Sequence, residues 1–168
     1  MKKRVTVYWL IPAEPERELF RNVISILGKQ FESASFAPHL TLVAAGDRRS
    51  PTTVLRQLQS GPIRLRVRAV GHSSTFTKAL FVRLTGNKVL ERLVEDLGGN
   101  SKHPSDPHVS LLYKKLPART RRELAAAIKL PFREVAFDRI RVVRCILPTE
   151  TRRDVESWRT IANKRLSG

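Results

Sequence analysis

Cysteine is almost absent from this sequence, and so are long apolar runs. The single cysteine, Cys145, cannot form an internal disulfide, and no Cys/His cluster has the spacing of metal ligands. Because disulfides are typical of oxidising compartments, a lone cysteine favours the reducing cytosol, and we expect a cytoplasmic protein. No apolar stretch approaches the roughly 20 residues that span a bilayer, so we expect no membrane association.

The chain also lacks the glycine-rich loops that hold nucleotide phosphates. It contains neither G-x-x-x-x-G-K-[ST] nor G-x-G-x-x-G. We therefore expect no doubly wound nucleotide-binding fold and no cofactor. The order of apolar patterns instead predicts an α+β protein with mainly antiparallel strands.

Acidic residues are scarce. The 168 residues include 32 Lys and Arg but only 15 Asp and Glu, a formal net charge of +17. Such a charge favours polyanionic partners, meaning RNA, DNA or a phosphorylated small molecule. The alternative is that arginine simply occupies solvated faces, because net charge does not identify a site. The row Arg64, Arg66 and Arg68 on a predicted strand admits both interpretations.

Hydrophobic periodicity divides the chain into alternating strands and helices. A chain of this length is most easily one domain, so we expect residues 1–168 to form a single domain of two lobes. Ser50 and Pro51 have the chemistry of a helix N-cap and first helical residue. The predicted strands are 4–11, 38–43, 63–70, 79–84, 107–113 and one or two within 135–147. The predicted helices are 14–31, 52–59, 89–97 and 118–129, and 155–166 is a strand or a short helix.

Two short motifs repeat one pattern of chemistry. They are Pro38-His39-Leu40-Thr41 and, nearly half the chain later, Pro107-His108-Val109-Ser110. Side chains alternate along a strand, so a histidine and a hydroxyl two positions apart lie on one face. One such motif is weak evidence, but two copies in similar apolar strands predict two histidines that face one cleft.

Two histidines and two hydroxyls suit in-line displacement at a phosphodiester. One neutral histidine takes a proton from water while the other, as imidazolium, protonates the departing oxygen. An unperturbed pKa of about 6.5 allows both states near neutral pH. Thr41 and Ser110 would hydrogen-bond the non-bridging oxygens. A strained cyclic phosphate needs no metal, and either histidine suits either role.

These residues resemble the two-histidine (2H) phosphoesterases, which share the 2′,5′ RNA ligase-like fold, and within them the plant-type cyclic phosphodiesterases. The similarity also includes Trp9, Ser74-Thr75-Phe76, Leu111-Leu112-Tyr113 and the terminal Val155-Glu156-Ser157-Trp158. It implies two pseudo-symmetric lobes, each an antiparallel sheet with helices outside, and an active-site groove between them. It further implies His39 and His108 as the catalytic pair, Thr41 and Ser110 as phosphate-binding residues, and Trp9, Phe76 and Tyr113 as substrate contacts.

Three functions remain open at this point. The first is metal-independent hydrolysis of a small cyclic phosphate, either a nucleoside 2′,3′-cyclic phosphate or ADP-ribose 1″,2″-cyclic phosphate, to a phosphomonoester by a monomer. The second is RNA-end processing, as an RNA 2′,3′-cyclic phosphodiesterase or a 2′,5′ RNA ligase. The third is a non-catalytic RNA-binding module.

Several side chains have a simpler structural interpretation. Tyr113 lies an odd number of residues from His108, so a regular strand would direct it away from the cleft. We expect His72 and His103 to be solvated and Trp158 to pack in the interior.

Overall fold

The computed structural model describes residues 1–44, 49–99 and 104–167. This part of the chain contains five helices and seven strands. The helices are α1 (Glu16–Gln30), α2 (Pro51–Gln57), α3 (Lys88–Asp96), α4 (Ala118–Ala127) and α5 (Arg152–Glu156). The strands are β1 (Lys3–Pro12), β2 (Leu40–Ala44), β3 (Ile63–His72), β4 (Leu80–Thr85), β5 (His108–Leu112), β6 (Glu134–Leu147) and β7 (Arg159–Arg165). None of these helices is long and apolar enough to cross a bilayer.

All seven strands belong to one antiparallel sheet. Its order is β2-β1-β6-β3-β4-β5, with β7 also paired to β6. The predicted α+β fold with antiparallel strands is therefore confirmed. The two strands that follow or begin with a motif histidine, β2 and β5, are the two ends of this order.

Strand β6 joins the two halves of the sheet. One of its edges pairs with β1 along Phe137–Leu147. Its other edge pairs first with β3, over Glu134–Phe137, and then with β7, over Arg139–Arg144. Because β3 and β7 take successive parts of one edge, the sheet divides there into a half with β1, β2 and β7 and a half with β3, β4 and β5. The two predicted lobes are thus halves of one continuous sheet.

Strand β1 is central and apolar on both faces. Tyr8 and Leu10 join the large core against the helices, whereas Val7, Trp9 and Ile11 form a second cluster with Val143 and Cys145. A strand buried on both faces reads as a nearly continuous apolar run, which explains why Val7–Ile11 contains no charged residue. The second face is the one that lines the site described below.

The C-terminal segment, predicted as a strand or a short helix, forms a short helix followed by a strand. Helix α5 ends at Glu156, and β7 begins at Arg159. A capping box of Thr151 and Asp154 starts the helix. The region 135–147, predicted as one or two strands, is the single strand β6.

Ser50 caps α2 by accepting a hydrogen bond from the Thr53 amide, as predicted.

The fold leaves no room for a side chain at Gly71. It pairs with Phe81, and a Cβ at Gly71 would lie 2.7 and 2.8 Å from two atoms of that ring. Gly71→Ala must displace the ring, and overpacking of this kind costs about 1–3 kcal/mol of unfolding free energy. Urea denaturation measures it. Gly86→Ala, whose nearest new contact is 3.5 Å, is the control and should change stability by less than about 0.5 kcal/mol. Equal stabilities of the two variants would contradict the tight contact.

Candidate functional site

One cavity of about 240 Å³ collects the polar residues of both histidine motifs. His39 and Thr41 line it from one half of the sheet, and His108 and Ser110 line it from the other. The two motifs therefore share one cleft, as the alternation of side chains predicts. The rest of the wall consists of residues of β1 and β6, aromatic rings, Ala44, Thr77 and Thr149.

Both histidines are held by the same local contact. His39 Nδ1 donates to the Ala37 carbonyl at 2.7 Å, and His108 Nδ1 donates to the Asp106 carbonyl at 2.7 Å. A carbonyl only accepts, so the neutral rings carry their proton on Nδ1 and present an unprotonated Nε2. The intervening proline of each motif restricts the backbone before the histidine, so that the contact is set within three residues of sequence.

Aromatic side chains enclose His39. The Trp9 ring stacks on its imidazole, with centroids 3.6 Å apart and planes 11° apart. Trp158 and Phe36 approach edge-on at 6.0 and 6.2 Å. Tyr113 Oη lies 3.3 Å from His39 Nε2 and donates to it. The His39 ring is therefore fixed on all sides, and its residue is only 5% exposed.

This enclosure keeps His39 neutral. Burial lowers its pKa to about 4, because the charged imidazolium loses its hydration, while the hydrogen bond to the Ala37 carbonyl opposes the shift. The positive charges of His108 and Arg141 lower the pKa further. At neutral pH, His39 therefore has an unprotonated Nε2, which is the state of a general base.

His108 has a different environment, centred on a clamped carboxylate. Asp106 accepts hydrogen bonds from Lys78 Nζ at 2.5 Å and Arg83 Nε at 2.9 Å. Both cations lie over the Phe81 ring, at 4.8 and 5.2 Å from its centroid. The same ring meets His108 edge-on at 5.5 Å. Asp106 thus supports His108 through its carbonyl while its carboxylate is fixed by two cations.

The charges around His108 partly cancel. Burial lowers its pKa, the Asp106 carbonyl and carboxylate raise it, and the cations Lys78 and Arg83 lower it again. Asp106 itself is ionised, since its hydrogen bonds from Arg83 and Lys78 outweigh burial and hold its pKa at about 2. Ala37 occupies the matching position beside His39, so only one of the two histidines has an adjacent carboxylate. This asymmetry distinguishes the two halves of the site.

The two hydroxyls also differ. Ser110 is buried and its Oγ donates to the Thr77 carbonyl at 2.8 Å. Thr41 is exposed, and its hydroxyl forms no hydrogen bond within the described residues. A ligand oxygen in the cavity can thus be met directly by Thr41, whereas Ser110 must first turn from Thr77.

The predicted aromatic contacts take three different positions. Trp9 is 5% exposed and its face is covered by His39. Tyr113 follows the end of β5 and lines the cavity, so the strand alternation that directs it away no longer applies to it. Phe76 stacks on Tyr113 at 6.3 Å but lines a neighbouring cavity of about 810 Å³.

Sequence reasoning missed several residues of the site. Trp158 packs against the clusters of Trp9 and Tyr113, as predicted, but it also lines the cavity, and Phe36 encloses His39 from the segment before β2. The clamped Asp106 had a signal, because it precedes Pro-His where the other motif has alanine. His72 is exposed, as predicted, and His103 lies outside the described residues.

Comparison with known proteins identifies the fold. No protein-family model and no curated protein matches the chain. Among solved structures, E. coli LigT complexed with 3′-AMP superposes with a TM-score of 0.56 at 13% identity, over 98% of this chain and 99% of LigT. The protein TT0787 of Thermus thermophilus has a TM-score of 0.59 at 19% identity, over 99% of each chain. A structure described as a phosphoesterase has a TM-score of 0.55 at 15% identity, over 99% of this chain and 100% of that one.

The chain therefore has the fold of LigT along nearly its whole length. The α+β fold that the sequence predicts is thus shared with these solved structures. The TM-scores establish the shared architecture. Identities of 13 to 19% do not assign a reaction, which must be argued from the residues of the site.

Asp106→Asn tests the asymmetry between the histidines. Removing the carboxylate leaves Lys78 and Arg83 uncompensated beside His108, so the His108 pKa should fall further below 6.5. The pKa of His39 should stay unchanged. Proton–nitrogen NMR titration of the histidine rings measures both. An unchanged His108 pKa would show that Asp106 does not act on His108, and an equal shift in both rings would contradict the asymmetry between them.

Proposed function

We propose that this protein is a two-histidine phosphoesterase that hydrolyses a cyclic phosphodiester to a phosphomonoester. The observation that carries the proposal is the pair of imidazoles in one cavity, each held at Nδ1 by a carbonyl so that its neutral ring has an unprotonated Nε2, which in His39 accepts from Tyr113. A nucleoside 2′,3′-cyclic phosphate or ADP-ribose 1″,2″-cyclic phosphate is the proposed substrate. LigT was crystallised with 3′-AMP and with phosphate, which supports a nucleotide phosphate as the ligand of this fold.

The two histidines divide the proton transfers. The more enclosed His39 begins neutral, and its Nε2 exchanges the Tyr113 hydroxyl for the attacking water and takes a proton from it. His108, with the Asp106 carboxylate beside it, begins as imidazolium and gives its Nε2 proton to the ribose oxygen that leaves. One P–O bond forms and one breaks, so the product is a monoester. General acid–base catalysis of this kind contributes about 10²–10⁴-fold to a rate.

The hydroxyls stabilise the charge that grows on the phosphate. Thr41 donates to one non-bridging oxygen, and Ser110 donates to another after leaving the Thr77 carbonyl. The low dielectric of the aromatic surround strengthens both bonds. Trp9 supports the reaction by fixing the plane of His39. The reaction as proposed needs no metal, because ring strain already favours opening of the cyclic ester.

His39→Ala and His108→Ala should each abolish turnover of adenosine 2′,3′-cyclic phosphate, because each removes one of two required proton transfers. Phosphorus NMR in the presence of EDTA measures turnover and identifies the monoester formed. His72→Ala is the matched control, since His72 is exposed on β3, and it should retain full activity. Activity that survives either cavity substitution, or that EDTA removes, would contradict the mechanism.

The pH profile should be displaced to the acid side. The base must be unprotonated, so kcat/KM is maintained above the His39 pKa and falls as the pH drops through about 4. The acid must be protonated, and burial lowers the His108 pKa, so kcat/KM falls on the other side before an ordinary histidine would titrate at about 6.5. Stopped assays from about pH 3.5 to 8, with folding checked by circular dichroism, measure it. An acid limb near 6.5 would contradict the assignment of His39.

RNA-end processing is the second candidate, and the neighbouring cavity favours it. That cavity, of about 810 Å³, shares Thr77, Leu147 and Thr149 with the catalytic one and is edged by Lys3 and Lys115. A groove that continues past the reacting phosphate is suited to a longer nucleotide chain. Turnover of ribonucleotides of increasing length, all with the same cyclic end, separates the two functions.

A further inference from the structure

Three arginines lie side by side on the cleft-side face of the sheet. Arg139 and Arg141 are on β6, and Arg165 on β7 is the direct partner of Arg139. Residues opposite each other in an antiparallel pair point to one face. That face is the one with Trp9, because Trp9 is the direct partner of Arg141 on the other side. We call Arg139, Arg141 and Arg165 the arginine row.

The arginine row has no carboxylate partner among the described residues, whereas its cationic neighbours do. Arg17 binds Asp138 at 3.2 Å, and Arg21 binds Glu18 at 2.8 Å. Like charges directly opposite each other destabilise a sheet, so the uncompensated row lowers stability in the unliganded protein. An unfavourable charge arrangement of this kind is expected where an anion binds.

Two of the three arginine side chains are only partly solvated, whereas Arg165 is exposed. Arg139 and Arg141 are half-buried, and the Nε of Arg139 is buried with no hydrogen-bond partner in the part of the chain that the structure describes. Arg141 Nε donates to Asn163 Oδ1 at 3.1 Å, which orients its guanidinium. Burial, and then the charges of Arg139, Arg17 and Arg21, lower the Arg141 pKa. A buried donor without a partner is unfavourable unless a ligand satisfies it.

The row lies next to the catalytic cavity. Arg141 adjoins Trp9, and the face of Trp9 carries His39. Arg141 is also close enough for its charge to lower the His39 pKa. An anion bound by the row would therefore belong to the same ligand as the phosphate between the two histidines.

We propose that the arginine row binds a second, non-reacting phosphate group of the substrate. The inference rests on the proposed phosphodiesterase function and narrows its substrate to one with at least two phosphate groups. Guanidinium groups bind phosphate oxygens through paired N–H donors, which suits this role. Two sources supply such a group: the phosphodiester of a ribonucleotide chain, and the pyrophosphate of ADP-ribose.

The arginine row is not the set of arginines that stands out in the sequence. Arg64, Arg66 and Arg68 on β3 are exposed, and Arg64 is paired with Glu134 at 3.3 Å. They have the features of a solvated face. Arg66 therefore provides a control for charge alone, because it is exposed on a strand of the other half of the sheet.

The experiment compares Arg139→Gln and Arg165→Gln with Arg66→Gln on three substrates. These are adenosine 2′,3′-cyclic phosphate, a diribonucleotide ending in a 2′,3′-cyclic phosphate, and ADP-ribose 1″,2″-cyclic phosphate. Each row variant should lower kcat/KM about tenfold on a substrate with a second phosphate, because a charge-assisted hydrogen bond is lost. On the mononucleotide both should remain within about twofold of wild type, and Arg66→Gln should do so on all three. The two-phosphate substrate that loses rate identifies the source.

Two outcomes would overturn the inference. An equal loss with Arg66→Gln would show an effect of total charge, and an equal loss on the mononucleotide would place the arginines at the reacting phosphate. If the wild type turns over none of the substrates, the phosphodiesterase proposal fails, and calorimetric binding of unreactive ligands decides the inference alone. A dinucleotide with a 3′-phosphate, or ADP-ribose 1″-phosphate, should then bind about tenfold more tightly than 3′-AMP, and Arg165→Gln should remove that difference; equal affinities in the wild type would overturn it.

Discussion

The hydrogen bond from a histidine Nδ1 to the carbonyl two residues earlier is the contact on which the site depends. It occurs twice with the same length, at His39 and at His108. Because it is formed within three residues, each half of the sheet needs only to place one strand end correctly. The ring then presents Nε2 in the tautomer that proton transfer requires. Each copy of the motif therefore orients one imidazole in the same way.

The continuous sheet brings these two local contacts together. The histidine strands are at opposite ends of the strand order, and β6 connects the halves by pairing with β1, β3 and β7 along its length. The halves then differentiate the histidines. Aromatic rings enclose His39 and keep it neutral, whereas the clamped Asp106 favours the proton on His108. Similar motifs in dissimilar surroundings thus give the two histidines different electrostatic environments, which supports the proposed division into a base and an acid.

The features predicted from sequence are those that depend on local pattern. Alternation placed His39 with Thr41 and His108 with Ser110, and periodicity located the helices. Local pattern gives no guidance beyond the end of a strand. Tyr113 lies one residue beyond β5, so strand alternation no longer governs it. Phe36 and Trp158 lie outside the strands and reach His39 only through tertiary packing.

The arginine row, like these aromatic contacts, could be predicted only in part from local sequence pattern. Arg139 and Arg141 share a face by their spacing on β6, but Arg165 joins them only through the register of β6 and β7, which no spacing in the sequence reveals. The regular arginines of β3 were visible in the sequence and prove to be exposed. Regular spacing identifies the residues on one face of a strand, and strand pairing decides which residues of different strands become neighbours.

Nitrogen NMR of the histidine rings tests the central claim most directly. At about pH 7, His39 and His108 should both carry their proton on Nδ1, with Nε2 unprotonated, and added 3′-AMP should shift the Nε2 resonances of both. This result would establish two matched imidazoles facing one ligand. A neutral ring that carries its proton on Nε2 in place of Nδ1, or a response to 3′-AMP from only one ring, would contradict the paired site.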